Sequence, residues 1–140
     1  MADDKRSRDY YRARSLSSPT NRRRKIVTLD VNGEAIEYEV RAPTLAEESK
    51  INRKGLIQLR GKDGKVDFRM DQVEMSVRSV VACVFIPGTA IRVFEEADLP
   101  TLREAPIGSW ISQLCTESLM IRKDDVEVEE KNSKAPISSD

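Results

Sequence analysis

The sequence predicts an α+β domain, mainly α: an N-terminal β-hairpin followed by three to four packed helices, with disordered tails at both ends. Three observations carry this. Two runs of alternating apolar and polar residues flank Asn32-Gly33. Beyond Pro43, two helix-start patterns precede apolar residues at helical spacing. Both ends are too polar to bury a core, so ordering them gains nothing. The expected organisation is a disordered basic arm over 1–24, one folded domain over 25–122 and a disordered acidic tail over 123–140. A chain of 140 residues has room for one such domain.

The hairpin is built from KIVTLDV and EAIEYEV. Val27, Leu29 and Val31 alternate with Thr28 and Asp30; Ile36, Tyr38 and Val40 alternate with Glu37 and Glu39. This period of two marks half-buried strands with one acidic, solvated face. Asn-Gly between them accepts the positive φ angles of a type I′ turn, whose twist matches a right-handed hairpin.

A first helix is expected from Thr44, because Thr44 and Glu47 have capping-box spacing. Its stripe, Leu45, Leu56 and Leu59, is thin. Ser49 and Asn52 interrupt it, Gly55 weakens it, and the loop Gly61-Lys62-Asp63-Gly64-Lys65 ends it near residue 59. Asp71 repeats the capping logic for a second helix. Val73, Val77, Val80, Val81 and Val84 recur at helical spacing, and Ala82, Cys83 and Phe85 make its second half apolar all round, as in a buried helix. Its β-branched content leaves a strand open there. In VFIPGTAIRVFEEADL, residues 84–99, Pro87-Gly88 breaks regular structure, yet Ile91, Val93 and Phe94 are too apolar for an idle loop. That segment packs either on the protein's own core or on a partner. Glu95 to Leu99 reads as a short helical turn. Pro106 suits the first position of a last helix, whose face holds Ile107, Trp110, Ile111, Leu114 and Ile121, with Ser118 as its polar exception.

Formal net charge is zero, which gives no global field toward nucleic acid or membrane. The charge is nonetheless polar along the chain. Residues 1–25 hold nine Lys/Arg against Asp3, Asp4 and Asp9, whereas residues 124–140 hold two lysines against six acids. There is no N-terminal signal pattern and no apolar run of membrane-spanning length, so a cytoplasmic protein is expected. Cys83 and Cys115 sit in apolar helical patterns and read as buried thiols.

The chain has no histidine, which removes the commonest general base and zinc ligand. Gly55 to Gly61-Lys62-Asp63 is one residue too long for a phosphate loop, and Asp63 stands where Ser or Thr would hold the metal. A polar hairpin-like loop accounts for it better. Glu47-Glu48 and Glu95-Glu96 suit helix starts, where acids complement the dipole. With no catalytic set in sight, the expectation is a protein that is not an enzyme and needs no metal or cofactor. Arg22, Arg23, Arg24 and Lys25, with Tyr10 and Tyr11 upstream, form a candidate phosphate-binding arm; a solubilising or protein-docking arm is the alternative.

The order of elements resembles that of the small tail assembly chaperones of long-tailed bacteriophages. The matching positions are Thr44, Leu45 and Glu47; Pro87 and Gly88; Phe94, Asp98 and Leu99; and Leu102, within residues 26–121. The long basic arm and Trp110 depart from the pattern. The resemblance implies a non-catalytic chaperone that binds the apolar, helical tape measure protein, keeps it soluble and helps tail tube protein polymerise around it in the host cytoplasm. Leu56, Ile57, Leu59 and Phe94 are the candidate partner-binding residues. The competing readings are a nucleic-acid-associated regulator using the basic arm, and a structural virion or head–tail connector subunit.

Overall fold

The computed structural model describes residues 7–17 and 22–123. The expected acidic tail beyond Lys123, residues 1–6 and residues 18–21 lie outside the described residues. The architecture mixes helices with two small sheets.

Strands β1 (Arg24–Val31) and β2 (Glu34–Arg41) form the predicted antiparallel hairpin. Asn32 and Gly33 have φ of 54° and 90°, and Asp30 Oδ1 accepts the Gly33 N–H at 2.7 Å. Leu29, Tyr38 and Val40 are buried on the inner face. The other face departs from expectation. Glu37 is exposed, but Glu39 is buried, because a third strand and its loop cover it. A Cβ on Gly33 would meet nothing within 4 Å, so a substitution there costs backbone strain alone. Gly33→Val is expected to destabilise the domain by about 1–2 kcal/mol. A lowered urea midpoint with an unchanged denaturant slope is the expected result; an unchanged midpoint would refute the turn's role.

Helix α1 (Arg8–Ser15) lies within the arm expected to be disordered. Its order is local. Ser7 caps the Tyr10 N–H, Asp9 occupies the first turn, Arg12 and Arg14 the last, and no residue of it is buried.

Helix α2 (Leu45–Lys54) opens with the expected capping box: Thr44 Oγ1 accepts the Glu47 N–H at 3.1 Å, and Glu47 Oε1 accepts the Thr44 N–H at 2.9 Å. It ends at Lys54, not near residue 59. Its buried residue is Ile51, while Leu45, placed on the expected stripe, is exposed. Gly55 ends the helix where the chain meets the next one. A Cβ there would fall 2.4 Å from Met75 Cγ, and the Gly55 carbonyl accepts the Asp71 N–H at 2.7 Å. Leu56 and Leu59, expected to be helical, instead lie on β3 (Leu56–Arg60), which pairs antiparallel with β4 (Val66–Met70). The Gly61–Lys65 loop is the hairpin connection, closed by Gly61 N–H to Lys65 O at 2.8 Å.

Helix α3 (Gln72–Cys83) starts at the predicted cap, with Asp71 Oδ1 accepting the Glu74 N–H at 3.1 Å. Val77, Val80 and Cys83 are buried and Val73 is exposed. The helix gives way to β5 (Val84–Phe85), which pairs with Glu39 and Val40 of β2, so the sheet order is β1-β2-β5. The chain then turns back on itself. The Thr89 N–H meets Ile86 O at 3.1 Å across Pro87-Gly88, the Ile86 N–H meets Ile91 O at 2.9 Å, and the Val93 N–H meets Val84 O at 3.1 Å.

A 3₁₀ turn (Glu96–Asp98) leads into α4 (Leu99–Arg103), with Leu99 and Leu102 buried. The last helix, α5, spans 110–123. It does not begin at Pro106. Ser109 accepts from the N–H groups of Ser112 and Gln113, and Ile107, expected on its inner face, is fully exposed in the preceding turn. Leu114, Ser118 and Ile121 face inward. The core lies between the inner face of the three-stranded sheet and helices α3, α4 and α5.

Candidate protein-binding surfaces

The β3–β4 hairpin is an arm. All ten strand residues are exposed, and neither outer edge has a strand partner among the described residues. The register pairs Leu56 with Met70, Gln58 with Phe68 and Arg60 with Val66 on one face. Ile57 with Arg69 and Leu59 with Asp67 share the other. Six large apolar side chains, Leu56, Ile57, Leu59, Val66, Phe68 and Met70, are each between 39% and 57% exposed. The arm's charge is basic: Arg60, Lys62, Lys65 and Arg69 outnumber Asp63 and Asp67, and Arg53 and Lys54 stand at its base.

Three of the four candidate partner-binding residues, Leu56, Ile57 and Leu59, therefore lie together, on a strand rather than a helix. Phe94 lies elsewhere. It packs on the core and lines a cleft of about 530 Å³ between α2 and the 91–99 segment. Ile51, Val81, Phe94 and Leu99 supply apolar wall. Ion pairs rim it: Glu47 with Arg92, Glu96 with Arg78 at 3.3 Å and with Lys50 at 4.0 Å. Phe94 and Leu99 thus pin the segment after Pro87-Gly88 onto the protein's own core.

The cations of the candidate phosphate-binding arm meet acceptors on the domain. Arg22 lies 3.3 Å from Glu47, Arg24 3.8 Å from Glu39 and Lys25 2.7 Å from Glu117. Arg23 donates to the carbonyl of Ile121, and its own carbonyl accepts the Ala42 N–H at 2.8 Å, extending the β1–β2 ladder. Arg22 and Arg23 thus belong with the folded domain, although the expected boundary placed them in the arm. Arg22, Arg41 and Arg92 stand 5.9, 4.3 and 5.1 Å from the centroid of the buried Phe85 ring. Phe85 draws them by cation–π attraction, and Glu39 and Glu47 neutralise them.

Polar ties join the helices of the domain to one another. Arg122 makes two 2.6 Å bonds to the Glu48 carboxylate and donates to Ser79 Oγ at 2.8 Å and Asn52 Oδ1 at 3.2 Å, joining α5 to α2 and α3. Glu74 accepts Arg103 through two bonds of 2.8 and 2.9 Å and Arg78 at 2.6 Å, joining α3 to α4. The Arg122 hydrogen bonds hold Glu48 below the ordinary glutamate range, and those of Arg103 do the same for Glu74. Burial raises both cysteine thiols, Cys83 to about 12, which keeps it neutral. Among the described residues, no group of three or more His, Cys, Asp or Glu is placed to hold a metal ion, and no helix is long and apolar enough to cross a membrane.

Residues 66–70 were missed on the sequence, although LIQLR and VDFRM around a five-residue Gly-containing loop carry a hairpin signal. Comparison with protein-family models, with curated proteins and with solved structures finds no match.

Proposed function

We propose that this protein is a non-catalytic assembly chaperone whose folded domain captures an apolar helical protein on the β3–β4 arm and keeps it from aggregating. The partner implied by the sequence resemblance is a phage tape measure protein, around which tail tube protein assembles in the host cytoplasm. One observation carries the reading: a projecting two-stranded sheet that exposes large apolar side chains on both faces. Such a sheet gains independent stability only from further strands or a packing surface. Contiguous exposed apolar surface of this kind marks an interaction site. An amphipathic helix laid across the arm would bury it. The nucleic-acid alternative loses support because Arg22, Arg24 and Lys25 are paired with carboxylates of the domain.

The test is co-expression with a candidate tape measure fragment, comparing the native chain with Leu59→Asp/Phe68→Asp, which places one charge on each face of the arm. Both residues are exposed, so the variant is expected to keep its unfolding midpoint, surface changes being worth about 0.5 kcal/mol or less. The soluble fragment is expected to fall at least roughly tenfold, equivalent to about 1.4 kcal/mol of lost binding. Undiminished solubility would overturn the reading. Retardation of duplex DNA by the native chain, abolished by moderate salt, would put the nucleic-acid reading in its place.

A further inference from the structure

We infer that this chain forms a two-fold dimer through the free edge of β4, which pairs antiparallel with β4 of a second copy about Phe68. The inference goes beyond capture on the arm and does not depend on it, because edge pairing uses main-chain groups and leaves the side chains of both faces in place.

The ladder fixes which groups the edge offers. The Gly61 N–H meets Lys65 O at 2.8 Å at one end of the hairpin, and the Asp71 N–H meets Gly55 O at 2.7 Å at the other. Hydrogen-bonded and non-hydrogen-bonded pairs alternate between these ends. Asp67 and Arg69 therefore bond to β3, whereas Val66, Phe68 and Met70 direct their N–H and C=O groups to the free side. The Phe68 N–H accordingly meets the carboxylate of its own neighbour, Asp67 Oδ1, at 2.9 Å. Such an edge is a template for another strand.

Charge selects the occupant. Along β4 and its flanks one face carries Lys65, Asp67, Arg69 and Asp71, alternating in sign. Read backwards, this series is its own complement. Antiparallel pairing centred on Phe68 sets Asp67 opposite Arg69 of the second copy and Lys65 opposite Asp71 of the second copy, each twice by symmetry. These are the non-hydrogen-bonded sites, where opposed side chains come closest. Asp67 and Arg69 stand 3.8 Å apart on their own strand and are 71% and 72% exposed, so both can turn to the second copy. Asp71 spends one oxygen, Oδ1, on the Glu74 N–H.

The other face sets Phe68 against Phe68 of the second copy and Val66 against Met70 of the second copy. Leu56, Gln58 and Arg60 of β3 continue these rows outward. Arg60 ends a row whose far end is Leu56 of the second copy, so the two copies of Arg60 lie at opposite ends of the joined sheet. The alternatives fit less well. In-register parallel pairing would set each charge against its like. Pairing along the β3 edge about Gln58 would set Leu56 against Arg60. Pairing about Val66 or Met70 would replace strand residues with the 61–65 loop or the start of α3.

Sedimentation equilibrium of the full chain over a concentration series is expected to show a monomer–dimer equilibrium. Asp67→Arg makes each contact between positions 67 and 69 like-charged and is expected to weaken the dimer at least roughly tenfold, as is Arg69→Asp. Combined in one chain, the two reversals restore opposite charges and are expected to return the dimer to within about threefold of native. Both residues are exposed, so each variant is expected to keep its unfolding midpoint. Phe68→Cys is expected to give a disulfide-linked dimer on mild oxidation, because residues paired at the axis have Cα atoms about 5.5 Å apart. Val66→Cys and Met70→Cys are expected to give none, each lying about 14 Å from its own counterpart. A native chain that stays monomeric, a dimer indifferent to the single reversals, a double reversal as weak as the singles, or equal cross-linking at 66, 68 and 70 would overturn the inference. Capture of a tape measure fragment enters none of these readouts, so the arm's partner role and its dimer edge stand or fall separately.

Discussion

Leu114→Ala is expected to cost about 3 kcal/mol, a large fraction of the stability of a domain this size. Leu114 is fully buried on the inward face of α5, in the cluster formed by Leu29, Tyr38 and Val40 of the sheet and Val77 and Val80 of α3. Truncation removes three carbons from that close-packed site, so the loss combines their transfer free energy with the cavity left behind. The same helix supplies the contrast. Ser118, one turn later, is equally buried, and its Oγ has no hydrogen-bond partner among the described residues. Deleting that hydroxyl leaves no partner stranded, so Ser118→Ala is expected to hold or slightly raise stability. Chemical unfolding of the two variants measures the difference. A Leu114→Ala loss below about 1 kcal/mol would mean that α5 is not part of the central core.

The elements legible in the sequence were those specified by local chemistry. Asn32-Gly33 fixes a turn through its own φ preferences, and the Thr44/Glu47 and Asp71 caps satisfy helix N–H groups within four residues of themselves. What escaped was decided by contacts distant in sequence. The apolar period did not reveal that Leu56 leaves α2, because Leu45, Leu56 and Leu59 fit one helical stripe by spacing alone. Gly55 decides otherwise: it caps α2, and its carbonyl accepts the Asp71 N–H as the chain leaves for β3. Val84 and Phe85 continue the valine spacing of α3 but are drawn into the sheet by Glu39 and Val40. Ile107 shows the opposite error, an apolar residue in phase with a helix that begins three residues later. Of the candidate site, Leu56, Ile57 and Leu59 were named on the sequence. Their grouping with Val66, Phe68 and Met70 needed the pairing of β3 with β4.

Glu39→Ala is expected to be as damaging as the core cavity, for an electrostatic reason. Glu39 was read as a solvated face residue and is instead buried beneath the turn after β5. Its Oε1 accepts the Gly88 N–H at 3.0 Å, its Oε2 pairs with the guanidinium of Arg41, and Arg24 stands 3.8 Å away. The Gly88 N–H first, then Arg41 and Arg24, hold its carboxyl below the ordinary glutamate range against the opposing effect of burial. Arg24 is largely exposed and its share is small. Arg41 is not, and it also lies 4.3 Å from the Phe85 ring centroid. Removing the carboxylate leaves the Gly88 N–H without its acceptor and Arg41, among the described residues, with only the Thr89 carbonyl and the Phe85 ring, a loss of about 3 kcal/mol. Glu39→Gln keeps an acceptor for Gly88 and is expected to lose less.

The pH dependence follows from the direction of the shift. A carboxyl whose folded pKa is lowered binds fewer protons in the folded state than in the unfolded one. Its contribution is therefore complete above the unfolded value, about 4.3, and is lost as pH falls through the folded value. Glu39, Glu48 and Glu74 all shift in this direction. The native chain is expected to lose stability steadily as pH drops below about 4.5, and Glu39→Gln to lose it with a shallower slope over the same range. Urea unfolding of both proteins at several pH values between about 3 and 7 measures the slopes. Equal slopes would mean that Glu39 titrates as freely in the folded protein as in the unfolded chain, and the clamp it forms between β2 and the Pro87-Gly88 turn would then carry no electrostatic share of the stability.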